Sequence, residues 1–108
     1  MPLQMSSSVE GSTARLSLAG ELDGASAPSV RDAVDGLLRD RPERLVLLVE
    51  KLTFMASAGL RILIFAKQKQ PNLKIYVIRP QDTVIDTLKK TGFYQGVYIL
   101  NSEAELQA

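Results

Sequence analysis

The chain has 108 residues, 45% of them hydrophobic and 23% charged, and its 13 Lys and Arg against 12 Asp and Glu leave a formal charge of +1. That length supports one core rather than two, and scattered, balanced charge without aromatic-interleaved basic patches argues against nucleic acid as a partner. Cys and His are both absent, which removes disulfides, thiol nucleophiles, thiolate metal sites and the commonest general base, and with them most enzyme classes.

Residues 14–19 alternate, Leu16 and Leu18 against Arg15 and Ser17, the period of a half-buried strand. Gly11 and Ser12 supply turn chemistry just before it, so residues 4–9 are expected to pair with it as the outer strand of a hairpin. After Gly20 the short loop Glu21-Leu22-Asp23-Gly24 leads to Ser26 and Pro28, and Val30, Ala33, Val34 and Leu37 then recur at helical spacing. A helix is expected there, opened by Pro28 and ended before Pro42. Its interior Gly36 weakens it by about 1 kcal/mol relative to Ala, so tertiary packing must hold it. Residues 45–49 are continuously apolar, the pattern of a central parallel strand covered on both faces.

The stretch 45–63, LVLLVEKLTFMASAGLRIL, passes from a strand pattern to a helical one through a small-residue turn at 53–59. A helix beginning near Ser57 places Leu60, Leu63 and Ile64 on one side and Ala58, Ile62 and Phe65 toward the other, so Ile62 and Phe65 are expected either to pack on a neighbouring helix or to join a protein-binding patch. Pro71 ends that helix, and residues 73–78 read as a strand. Pro80 and Asp82 open a third helix carrying Val84, Ile85 and Leu88, which Gly92 closes behind Lys89 and Lys90. Residues 97–100 read as the last strand, and Ser102 with Glu105 as the capping box of a short terminal helix. The alternation predicts the α/β class: one domain over residues 1–108, with a mostly parallel central sheet, an N-terminal antiparallel hairpin strand and about four helices.

Ser57 stands where chemistry is expected. A hydroxyl on the first turn of a helix lies beside backbone N–H groups without intrahelical partners, where an attached negative charge is favoured, so the position suits a phosphate; its plain alternative is a helix N-cap. Gly59 would leave the backbone bare for a close-approaching enzyme, or simply allow tight helix packing. Asp23 reads equally as a turn or helix-start residue and as a partner contact. Met55 and Phe54 read as core or turn anchors, and Thr53 and Ser26 as structural hydroxyls. No D-x-D cluster and no S-x-x-K spacing occurs, so no enzyme activity, catalytic residue, metal or cofactor is expected. With no apolar run of bilayer length and no signal-peptide pattern, a cytoplasmic protein without direct membrane contact is expected.

Taken in order, Gly20-Glu21-Leu22-Asp23, then Leu52-Thr53-Phe54-Met55-Ala56-Ser57-Ala58-Gly59-Leu60, then the Thr91-Gly92-Phe93 turn resemble the STAS domain of bacterial anti-sigma factor antagonists over nearly the whole chain. The resemblance implies that Ser57 is the phosphoacceptor of an anti-sigma factor serine kinase, and that Asp23, Ala56, Ala58, Gly59 and Ile62 contribute to partner binding. It implies further that the unphosphorylated form sequesters the kinase, that the phosphorylated form releases it, and that a metal-dependent serine phosphatase resets the switch. ATP and Mg²⁺ would belong to the kinase. Two positions depart from the family pattern: Ala56 stands where Asp is usual, and Ala58 where a second hydroxyl is common, so a carboxylate that would orient the hydroxyl or touch the kinase is missing. A dimer is left open. The resemblance also admits a STAS adaptor subunit of a lipid-transport ABC transporter, while a Ser-dependent hydrolase is disfavoured because no base accompanies Ser57.

Overall fold

The computed structural model describes residues 2–107. In chain order the elements are β1 Gln4–Glu10, β2 Thr13–Leu22, α1 Ala27–Leu38, β3 Arg44–Met55, α2 Ser57–Lys69, β4 Lys74–Ile78, α3 Asp82–Lys90 and β5 Tyr98–Leu100, with 3-10 turns at Phe93–Gly96 and Glu103–Gln107. The five strands form one sheet in the order β1-β2-β3-β4-β5; β1 is antiparallel to β2 and the remaining pairs are parallel. The mostly parallel α/β sheet with its antiparallel hairpin strand is thus the architecture expected. The terminal helix is the exception, because only one 3-10 turn forms after Ser102, through Glu105 N–H to the Ser102 carbonyl at 3.2 Å.

Sequential strand order sends each crossover the same way, and crossovers of one hand then deposit their helices on one face. Accordingly Leu16 and Leu18 of β2, Leu45 and Leu47 of β3, and Ile75 and Val77 of β4 share a single core with Val30 and Val34 of α1, Leu60, Leu63 and Ala66 of α2, and Val84 and Leu88 of α3. Burying each of the larger aliphatic side chains contributes about 1.5–3 kcal/mol. Residues 45–49 are covered on both faces as expected, with Val46 fully buried on the side away from the helices. By alternation Arg15, Val46, Tyr76 and Ile78 face the other way, where the C-terminal 3-10 turn reaches back across the sheet and Glu103 pairs with Arg15. Tyr76 and Tyr98, in register on β4 and β5, stack with centroids 5.0 Å apart.

β3 runs six residues past the apolar stretch, to Met55. Glu50 and Lys51 are exposed, yet Leu52 and Met55 return to the core, and β2 keeps pace through pairing irregularities between Ser17 and Ala19 and between Gly20 and Glu21. Gly20 adopts φ 98° there, a conformation open to glycine and strained for other residues. The irregularity matters for position, since it carries Leu22 and Met55 side by side to the carboxyl end of the sheet.

Candidate functional site

Two chain segments meet where β2 and β3 end. Leu22 pairs with Met55, and the Ala56 N–H donates to the Leu22 carbonyl at 2.8 Å, so the loop beginning at Asp23 and the turn before Ser57 adjoin. Hydroxyls fix the platform from both flanks. Thr53 Oγ1 donates to the Gly20 carbonyl at 3.0 Å, Thr83 Oγ1 donates to the Thr53 carbonyl at 2.8 Å, and Thr87 Oγ1 donates to the Met55 carbonyl at 3.0 Å. Thr53 is thus structural, as its sequence context suggested, while the two threonines of α3 gave no sequence signal beyond their spacing of one helical turn.

Ser57 is the first residue of α2 and is exposed. It is not the N-cap: Ala56 holds that place, with φ −76° and ψ 169°, and offers no side-chain bond to the helix. The first turn also carries no acidic residue. Among the described residues the Ser57 hydroxyl has no hydrogen-bond partner in the protein, so it stands at the positive end of a helix whose own first turn and N-cap supply no carboxylate and no capping oxygen. Gly59 N–H reaches the Ala56 carbonyl at 2.9 Å, which tightens the turn and leaves the Ser57 and Ala58 N–H groups facing outward.

For Gly59 and Ile62 the structure shows the packing alternative, not an exposed position. Both are buried, Ile62 at 4% exposure, and a Cβ on Gly59 would meet Met55 Cγ at 2.7 Å and Leu22 Cδ2 at 2.8 Å. Gly59 therefore lets the first turn of α2 rest on the two strand ends, and Ile62 joins the core that α1 shares, while at the groove between the two helices the Arg31 guanidinium lies 4.4 Å from the Phe65 ring centroid. Phe54 departs in the opposite sense. Expected as an anchor, it is 45% exposed, in register with Glu21. Ala56 and Ala58 are half-buried.

Asp23 is held as a helix-start residue. Its Oδ1 accepts from the N–H groups of Ala25 and Ser26 at 3.1 and 3.0 Å and from Ser26 Oγ at 3.0 Å, while Ser26 Oγ in turn accepts from the Asp23 N–H at 3.0 Å. This reciprocal pair is a capping box one turn ahead of the regular helix, and the Ala27 N–H to Asp23 carbonyl bond at 2.9 Å continues it. The Ser26 N–H above all, then the Ser26 hydroxyl, hold the Asp23 carboxyl below the usual aspartate range. Between α1 and α2 a groove of about 570 Å³ opens beside this loop, lined in part by Gly24, Arg31, Ala58, Arg61 and Phe65.

The STAS domain family model matches residues 5–106. The chain belongs to the STAS domain family. Several solved structures superpose on it closely. An anti-sigma factor antagonist from Mycobacterium paratuberculosis gives a TM-score of 0.81 at 19% identity over 96% of this chain and 90% of its own. The anti-sigma factor antagonist SpoIIAA in its unphosphorylated form gives 0.80 at 19% identity over 97% and 92%. The Bacillus cell fate determinant SpoIIAA in the phosphorylated form gives 0.71 at 18% identity over 97% and 96%. At these identities the likeness is one of fold. The comparison with curated proteins found no match.

Proposed function

We propose that this STAS domain is a phosphorylation-controlled protein-binding regulator, an anti-sigma factor antagonist of partner-switching signalling. In this reading it binds a serine-kinase anti-sigma factor while Ser57 is unphosphorylated. The observation that carries the reading is the exposed, unbonded Ser57 hydroxyl on the uncapped first turn of α2. The existence of SpoIIAA, a protein of the same fold, in phosphorylated and unphosphorylated forms supports it. Catalysis then belongs to the kinase and to a metal-dependent phosphatase; this chain supplies the hydroxyl and the docking surface around Asp23, Ala56 and Ala58.

The energetics favour a switch without refolding. A phosphate adds about −1.5 to −2 charges near neutral pH, and a helix N-terminus offsets roughly 0.3–2 kcal/mol of its burden, so the domain keeps its fold. A partner surface shaped around a neutral hydroxyl meets a bulky dianion instead, and the desolvation and repulsion weaken the complex by orders of magnitude. Because Ala56 brings no carboxylate, the kinase must orient the hydroxyl with its own groups. The test is calorimetry of the domain with a partner isolated from its native cell: Ser57→Ala binds like wild type and resists modification, while Ser57→Asp loses binding. Equal binding by both variants would reject the switch, and an ATPase subunit as the stable partner would turn the reading toward a transporter adaptor.

A further inference from the structure

The strand at the outer edge of the sheet carries a pattern of its own. All seven residues of β1 are exposed, and no Pro, Lys or Arg interrupts Gln4-Met5-Ser6-Ser7-Ser8-Val9-Glu10, although edge strands usually carry such residues to discourage pairing. The hydrogen-bonding sense of each residue can be followed across the sheet. The Ser12 carbonyl accepts from the Glu43 and Arg44 N–H groups at 2.8 and 3.2 Å, so it faces β3, and by alternation Ala14 and Leu16 do as well. Thr13, Arg15 and Ser17 therefore bond toward β1, to Glu10, Ser8 and Ser6 in register. The two-residue Gly11-Ser12 loop, with Gly11 at φ 61°, closes on a bonded Glu10–Thr13 pair in agreement. The N–H and C=O groups of Met5, Ser7 and Val9 consequently point outward, away from every other strand.

We infer that β1 pairs antiparallel with β1 of a second copy, on a two-fold axis at Ser7, joining the two five-stranded sheets into one. Three features of the chain select this occupant and this register. Centred on Ser7, the outward-pointing residues meet one another: Met5 opposes Val9, Ser7 opposes Ser7, and Val9 opposes Met5. Any shift of register loses at least one of these pairs. The same register packs the exposed side chains of Met5 and Val9, 39% and 53% accessible, against each other on one face, and on the other it sets Ser6 beside Ser8 and the Gln4 amide beside the Glu10 carboxylate. No like charges come into opposition, which suits an isologous contact. The surface is independent of Ser57, so its failure would leave the phosphorylation reading untouched.

Sedimentation equilibrium across a concentration series tests the inference, with the 11.8 kDa chain expected to rise toward twice its mass. Ser7→Pro removes an N–H that bonds nothing within the monomer, a substitution edge strands accept. It should weaken association about thirtyfold or more, through the two central hydrogen bonds, while leaving the circular dichroism spectrum in place. Because the chain contains no cysteine, crosslinking provides a second measurement that does not depend on the proline variant folding. A bonded antiparallel pair holds its Cα atoms about 5.5 Å apart, within disulfide range. Ser7→Cys should therefore oxidise to a covalent dimer at least tenfold faster than Ser6→Cys at equal low concentration. A wild-type chain that stays at monomer mass at the highest concentrations, a Ser7→Pro variant that associates as wild type does, or equal oxidation at positions 6 and 7 would each overturn the pairing.

Discussion

Replacing glycine by alanine at two helical positions should move stability in opposite directions, and the size of the difference follows from the packing. At Gly59 the added Cβ would sit 2.7 Å from Met55 Cγ, 2.8 Å from Leu22 Cδ2 and 3.1 Å from Leu22 Cγ. Neither neighbour can swing aside, since Leu22 is 2% and Met55 6% exposed and their backbones are paired at the ends of β2 and β3. Overpacking of this kind costs about 1–3 kcal/mol. Two of these contacts lie below 3.0 Å, which sets the cost toward its upper end; helix propensity returns at most about 1 kcal/mol, leaving Gly59→Ala destabilised by roughly 1–2 kcal/mol, or about 4–16 °C in thermal midpoint for a domain of this length. Gly36 has open space where its Cβ would go and no positive φ, so Gly36→Ala should gain about 0.5–1 kcal/mol. Urea titrations of the two variants beside wild type measure both. If Gly59→Ala proved as stable as wild type, the claim that the first turn of α2 rests directly on the strand ends would be wrong.

Ser57→Asp should lose partner affinity while its thermal midpoint stays within about 2 °C of wild type, because the site is exposed and at the favourable end of a helix; a large fall in midpoint would mean that the residue is structural. Ala56→Asp should speed phosphorylation by a family kinase, measured by intact mass against time, and an unchanged rate would show that the missing carboxylate is not limiting. Asp23 gives a pH signature. Its carboxyl is held below the unfolded-chain value near 3.8, so its stabilising contribution is complete above that value and disappears as pH falls through the lower folded value. Wild type and Asp23→Asn should therefore differ most in denaturant midpoint above pH 4 and converge in stronger acid. Glu103→Gln should cost less than about 1 kcal/mol yet raise amide exchange in the C-terminal 3-10 turn, and unaltered exchange would mean that the Arg15 contact does not hold that turn in place.

The parts of the fold readable from sequence are those where one physical pattern acts alone. Alternation in β2, the apolar stretch of β3, the proline stops after α1 and α2, and Gly92, which closes α3 at φ 80°, each followed from local chemistry. The continuation of β3 to Met55 did not, because Glu50 and Lys51 interrupt the apolar pattern and pairing with an irregular β2, a non-local interaction, keeps the chain extended. Ser57 and Asp23 were singled out by residue type and position, and the two chain segments that carry them adjoin at the sheet's carboxyl end. For Gly59 and Ile62 the residues left packing and partner contact both open, since helical spacing places residues around an axis without saying which arc faces the core, and the structure selects packing. Arg31 and Arg61 were missed altogether. They sit in the groove between α1 and α2 only because two helices far apart in sequence meet there, and a lone arginine on a helix carries no local signal of that.

The stacked pair on the last two strands also makes the chain its own optical probe. Tryptophan is absent and the tyrosines number three, so near-ultraviolet absorption and emission come from very few rings, two of which face each other across the seam between β4 and β5. Peeling β5 away would separate them and alter the aromatic dichroism before the helices melt, giving an unlabelled readout of whether the sheet frays from that side.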